Sequence, residues 1–112
     1  MTKHSKATFL PRKVQKNLEI MGEQIKLARK RRTLSLAVIA ERAQCTQLTL
    51  MRVEKGSPTV SIGIYARVLY ALGLDESILL LAKDDKAGEA LVNTKLIRKN
   101  QKKNVEEYNV FD

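Results

Sequence analysis

The sequence predicts an all-α domain, and three observations carry that reading. Leu36 to Val53 (LAVIAERAQCTQLTLMRV) has the spacing of two short helices around a tight corner. Leu18, Met21, Ile25 and Ala28 recur at helical spacing before it, and Ser61 to Leu72 (SIGIYARVLYAL) is a helix-length segment that is apolar nearly all round.

Helix one is expected from about Leu18 to Arg32, with Asn17 as its cap. It ends in Arg29, Lys30, Arg31 and Arg32, where the helix dipole favours positive charge, so part of that cluster is explained without a ligand. Helix two runs from Ser35 or Leu36 to Ala43 with Ser35 as cap, and Leu36, Ile39, Ala40 and Ala43 share one core with Leu50 and Val53 of the next helix. Gln44-Cys45-Thr46 makes the corner between them. Thr46 caps helix three, about Gln47 to Lys55, which Gly56 stops, and Gly56-Ser57-Pro58 is the following loop.

The fourth helix, Ser61 to Leu72, has Arg67 as its only charge and must therefore bury more than one face. In so small a chain one face covers the core, and the other calls for a second subunit or a protein partner. Leu74 to Ala82 repeats the signal after the Gly73 break, with Leu74, Ile78, Leu79, Leu80 and Leu81 apolar and Asp75 and Glu76 in the first turn, where the dipole favours them. A homodimer through these two helices is expected, with Tyr65, Leu69, Ile78, Leu79 and Leu81 at the interface.

The 112 residues have room for one small domain plus tails: a flexible basic arm over 1–16, a helical domain over 17–82 and an extension over 83–112, partly helical and then disordered. With 21 Lys and Arg against 12 Asp and Glu, the net charge of +9 implies a polyanionic partner, nucleic acid being the commonest for such a chain. The arm holds Lys3, Lys6, Arg12, Lys13 and Lys16 with no acidic residue and Pro11 in its middle; it is either a solvated tail or an arm that touches phosphates or the minor groove. Phe9 and Leu10 are an apolar pair of the kind that docks on something. The extension has a short amphipathic piece, Ala87 to Ile97, then basic Lys95, Arg98, Lys99, Lys102 and Lys103, and an acidic, aromatic end. From Asn100 onward it reads as a disordered tail, or as a segment that folds on a partner gripping Tyr108 and Phe111.

Catalysis is not expected. His4 is the only histidine and lies in the arm, which removes a histidine-based triad or multi-histidine metal site, and there is no glycine-rich phosphate loop. The adjacent acids Asp84-Asp85 and Glu106-Glu107 read as solvated pairs, so no catalytic residue, cofactor or metal is assigned. The lone Cys45 reads as a small buried hydrophobe, and without a long apolar run or an apolar N-terminal segment the chain is expected in the cytoplasm, on the nucleoid when bound to DNA, with no membrane partner.

From about Met21 to Ala82 the chain resembles the Xre/Cro-type helix-turn-helix domain of the lambda-repressor-like fold. The resemblance rests on Gly22, Ile25 and Arg29, on Leu34-Ser35, on Ile39-Ala40-Glu41, on Val53-Glu54-Lys55-Gly56 and on Ala71-Leu72-Gly73. It implies five helices, with the second and third as the DNA-binding pair, and an internal ion pair between Arg29 and Glu54, which are therefore left out of the DNA site. Gly56 to Ser61 followed by Tyr65 to Leu69, and later Asp84 to Gly88, Leu91 and Leu96 to Lys99, are similar to the HipB-like antitoxins. That similarity implies a dimeric repressor of its own operon that also binds a kinase toxin of the HipA type. Two positions depart from the family: Leu36 stands where a phosphate-bonding Gln is frequent, and Gln44 stands where Gly is common, so Gln44 is expected to take a left-handed conformation at a cost of about 1 kcal/mol.

A reading helix enters the major groove N-terminus first, so Gln47, Leu48 and Arg52, with Met51 beside it, are the base-edge candidates. Gln47 suits adenine, Arg52 suits guanine or a phosphate, and Leu48 suits a thymine methyl. Ser35, Thr46, Thr49, Lys55 and Ser61 are the phosphate candidates. The expected partner is double-stranded operator DNA, palindromic if the protein is dimeric. The competing reading is a protein-interaction adaptor with the same fold and no specific DNA readout.

Overall fold

A computed structural model describes residues 9–102 of the 112-residue chain. In order these form α1 (Arg12–Arg31), α2 (Leu36–Arg42), α3 (Gln47–Glu54), α4 (Ile62–Ala71), a 3-10 helix (Asp75–Leu80) and α5 (Lys86–Lys102), with no strand among the described residues. The chain divides into two compact units, 1–78 and 79–112.

In the first unit α3 packs on both α1 and α2, and α2 packs on α4. Ile39, Leu50, Val53 and Val68 are fully enclosed at the centre, with Ile25, Ala28, Ala40, Ala43, Tyr65 and Leu72 around them. Shortening one of the central four would leave a cavity costing about 2–5 kcal/mol for a Leu-to-Ala change. Three of the helices start alike. Ser35, Thr46 and Ser61 sit in extended backbone, and each side-chain oxygen accepts a hydrogen bond from the amide three residues on, of Val38, Thr49 and Ile64 respectively. Each bond satisfies one of the amides that a helix start leaves free.

Helix α1 begins earlier than the apolar spacing predicts. Asn17 lies exposed within it and caps nothing; Pro11 precedes the first turn, and its carbonyl accepts the Gln15 amide at 3.0 Å. Proline suits a helix start because its φ is already helical and it has no amide to leave unpaired. The extra turns are also tied down, since Gln15 Nε2 donates to the Gly56 carbonyl at 3.3 Å. Residues 12–16, expected in the flexible arm, therefore belong to α1.

The segment predicted as a helix over Leu74 to Ala82 is a 3-10 helix over Asp75–Leu80. Left-handed residues close it on both sides, Gly73 at φ 77° and Ala82 at φ 60°, leaving room for two tight turns only. In the second unit α5 runs through Asn100 to Lys102, beyond the predicted Ile97. Asp85 starts it by accepting the Gly88 amide at 3.0 Å, and nothing after Gly88 breaks the helix. Tyr108 and Phe111 lie outside the described residues.

Two glycines let α1 and the end of α3 touch backbone to backbone. A Cβ on Gly22 would lie 2.6 Å from the Gly56 amide nitrogen and 2.7 Å from the Val53 and Glu54 carbonyl oxygens, while one on Gly56 would run into the Leu18 carbonyl. Gly56 is also left-handed, at φ 73°; Gly73 has nearly the same φ but open space around it. Gly73→Ala is therefore expected to cost only the left-handed penalty, about 1–2 kcal/mol, whereas Gly56→Ala adds a backbone collision and should lose several times that or fail to fold. Urea unfolding of the two variants measures the difference.

Candidate nucleic-acid interface

Helix α3 has two unlike faces. Leu50, Val53 and Glu54 are buried toward the core, while Gln47, Leu48, Met51, Arg52 and Lys55 are all exposed. At 100° per residue these five fall on one side of the helix. Leu48, 55% exposed, has no packing role inside the chain. Two or three exposed side chains within one turn, polar and apolar together, are what a base edge in the major groove requires.

The start of α3 is ordered by Thr46, whose hydroxyl oxygen accepts the Thr49 amide at 3.1 Å while its hydroxyl donates to Thr49 Oγ1 at 3.0 Å. Thr46 is exposed and Thr49 half-buried, so Thr46 is the more accessible hydroxyl of the two. Ser35 and Ser61 are exposed at the starts of α2 and α4, and Lys55 is exposed just past the end of α3. The predicted base-edge residues thus share one helix face, and the predicted phosphate residues sit at helix starts or ends.

The other end of α3 is held by a buried ion pair. Arg29 donates from Nε to Glu54 Oε2 at 2.7 Å and from Nη2 to Oε1 at 3.1 Å, and its Nη1 donates to the Leu34 carbonyl at 3.0 Å. One guanidinium thereby joins the last turn of α1, the link into α2 and the last turn of α3. Its hydrogen bond to Glu54 raises the Arg29 pKa above the ordinary arginine value, so the guanidinium stays charged at any working pH. The ion pair that the family resemblance implies is present, and neither member is available to a ligand.

The corner between α2 and α3 turns as predicted. Gln44 is left-handed at φ 57°, and the Cys45 amide bonds to the Ala40 carbonyl at 3.0 Å. Cys45 is half-buried against the core, and burial pushes its thiol pKa up against the opposing pull of the Arg67 charge, which favours the protonated thiol. Leu36 packs against the core and lines a cleft with Met51, Lys55, Glu19, Glu23 and Lys26. Its side chain fills space between α2 and the reading helix and offers no polar atom.

Residues 20–79 match a family model described as a helix-turn-helix domain, just over half of the 112-residue chain. The chain belongs to this helix-turn-helix family. It is an Xre-like DNA-binding regulator with an all-helical fold consistent with the lambda-repressor-like type. No curated protein and no solved structure matches it. Among the described residues, no helix is long and apolar enough to cross a membrane and no cluster of His, Cys, Asp and Glu could hold a metal ion.

The dimer residues expected on α4 need one correction. Tyr65 is 5% exposed, faces the core and donates its hydroxyl to the Ser57 carbonyl at 2.7 Å, so it fastens the loop after α3 and has no surface to offer. Burial raises its pKa, as befits a phenol kept neutral. The exposed apolar side chains of α4 are Ile62 and Tyr70, at 62% and 71%. Leu69 and Ile78 are half-buried in the first unit, and Leu79 and Leu81 are exposed in the second. A helix apolar all round does not reveal which of its faces is inward, so Tyr65 and Tyr70 could not be told apart in sequence.

Two changes test the framework of the interface. Glu54→Ala leaves Arg29 buried without its partner and should cost about 3–5 kcal/mol in unfolding free energy. Gln44→Gly removes the left-handed strain at an exposed corner and should add up to about 1 kcal/mol, with DNA affinity unchanged. Thermal and denaturant unfolding read both.

Proposed function

We propose that this helix-turn-helix regulator is a sequence-specific repressor of its own operon, acting as a dimer, and that it is the antitoxin of a HipA-type system that also binds its kinase toxin. The observation that carries the DNA part is the exposed row Gln47, Leu48 and Arg52 on a helix capped by Thr46 and buried on its other face. Gln47 pairs with adenine, Arg52 with guanine and Leu48 with a thymine methyl, while Ser35, Thr46, Thr49, Lys55 and Ser61 hold phosphates. The antitoxin part rests on the similarity of Gly56 to Ser61 and Tyr65 to Leu69 to HipB-like proteins. Ser57 and Tyr65 within those segments are joined by a hydrogen bond, so the shared residues form one local structure.

Dimerisation is supported by the apolar surface left on α4. Ile62, Leu69 and Tyr70 fall on one side of the helix, and a soluble chain gains by covering them with a second copy. Ile78 in the same unit remains a candidate for that interface, and Leu79 and Leu81, exposed in the second unit, are separate candidates for a dimer contact. A two-fold dimer reads a palindrome, with half-sites one or more helical turns apart.

Titration of the protein onto DNA from upstream of its own gene and onto a scrambled duplex, at two salt concentrations and with the mass of each complex determined, tests this reading. Preference for the upstream DNA with two chains bound is the expected result. Equal weak binding to both duplexes would favour the adaptor reading instead. Gln47→Ala and Arg52→Ala should each reduce preference for the upstream DNA by about 5-fold to 150-fold, from the loss of roughly 1–3 kcal/mol of base discrimination, with the fold intact. Co-purification with a kinase toxin encoded beside the gene tests the antitoxin part separately.

A further inference from the structure

The match to the helix-turn-helix family begins at residue 20, but α1 begins at Arg12, so two helical turns precede the family domain. This extension holds Arg12, Lys13 and Lys16, all exposed, and its first acidic residue is Glu19. Among the described residues none of the three cations has an acidic partner.

Their placement opposes the stability of the helix that carries them. The first turn of α1 has no acidic residue and no side-chain cap, although the dipole there favours negative charge. Arg12 and Lys16 are four residues apart on one face, where like charges repel. At the other end of α1 the cations Arg29, Lys30 and Arg31 lie where the dipole favours them, so the two clusters do not share an explanation.

The extension is also fixed in position. Gln15 Nε2 bonds to the Gly56 carbonyl, and Gly56 rests on the backbone of Leu18. Around α1, Arg12 and Lys16 lie about 60° and about 100° from Gln15, beside the side held to the loop that leaves α3, and Lys13 continues their row about 160° from it. If α3 enters a major groove N-terminus first, as the DNA-binding reading has it, its far end at Lys55 and Gly56 is left on the outer side, toward the flanking backbone.

We infer that Arg12, Lys13 and Lys16 form a phosphate-binding surface that extends the DNA contact beyond the helix-turn-helix itself. Its ligand is the phosphodiester backbone flanking the bases read by α3. The surface rests on the DNA-binding reading above and adds to it a contact that is independent of sequence. It strengthens binding to any duplex and makes it more sensitive to salt, leaving base preference to Gln47, Leu48 and Arg52.

The test combines Arg12→Gln, Lys13→Gln and Lys16→Gln in the full chain. Glutamine is a good helix former and the three sites are exposed, so the variant keeps its helix content, which circular dichroism checks. Affinities of wild type and variant are measured between 50 and 200 mM salt on the upstream and the scrambled duplex. Three lost phosphate contacts lower the slope of log affinity against log salt by about 2.7, which shrinks the affinity loss across that range by about 40-fold on both duplexes. The ratio of affinities for the two duplexes stays the same. An unchanged slope overturns the inference, and so does a loss of preference with the slope intact, because the residues would then be reading bases. A wild type without preference for the upstream DNA counts against the proposed repressor, while the slope change on either duplex still decides the phosphate surface.

Discussion

The geometry of the molecule depends on the close approach of α1 to the end of α3. Gly22 and Gly56 remove the side chains that would separate the two backbones, and Arg29 spans the gap to Glu54 about two turns further along α1. A steric allowance and a charged clamp act at the same place. Together they set the angle at which α3 leaves the core, and with it the direction in which Gln47, Leu48 and Arg52 project. The charged clamp has little net stabilising value, because burying both ions offsets most of their attraction. Its contribution is directional: a bidentate fork accepts only one orientation of the helix that bears the carboxylate.

Around that contact the domain separates buried supporting side chains from exposed ones residue by residue. Along α3, Leu50 and Val53 belong to the core while Leu48 and Arg52 face outward, so the helix can lose either exposed side chain without loosening its seat. Thr46 orders the helix start while remaining exposed itself. Leu36 takes the supporting role, packing α2 against the cleft beside Met51. The hydrogen bond from Tyr65 to Ser57 extends the support to the loop that joins α3 to α4.

Most of the first unit was legible in the sequence because its punctuation is local. Ser35, Thr46, Gly56 and Gly73 act on neighbouring backbone, and each stands where its side chain or its lack of one leads one to expect. The exposed face of α3 was legible for the same reason, since Leu50 and Val53 declare the inward side by spacing alone. What escaped depends on contacts between distant residues. The start of α1 was placed at Asn17, a good cap by composition, because nothing near Gln15 announces that its partner is the carbonyl of Gly56, forty-one residues away. The inward turn of Tyr65 was hidden by the uniform apolarity of α4. The length of α5 exceeds the expectation from sequence because its charged run, which has the composition of a tail, consists of lysine, arginine and glutamine, which favour helix.

Left-handed backbone at Thr33 and Gln44 brackets α2 within a unit whose other left-handed turns, at Gly56 and Gly73, use glycine. Each of these two side chains holds a conformation about 1 kcal/mol above its alternatives, or about 2 kcal/mol together. For a small domain that is a sizeable share of the folding free energy and raises the unfolded population about 30-fold over an unstrained chain. Proteases act on that population when opening is fast relative to cleavage. The two strained corners that shape the helix-turn-helix therefore also make the chain more open to proteolysis than an unstrained one would be.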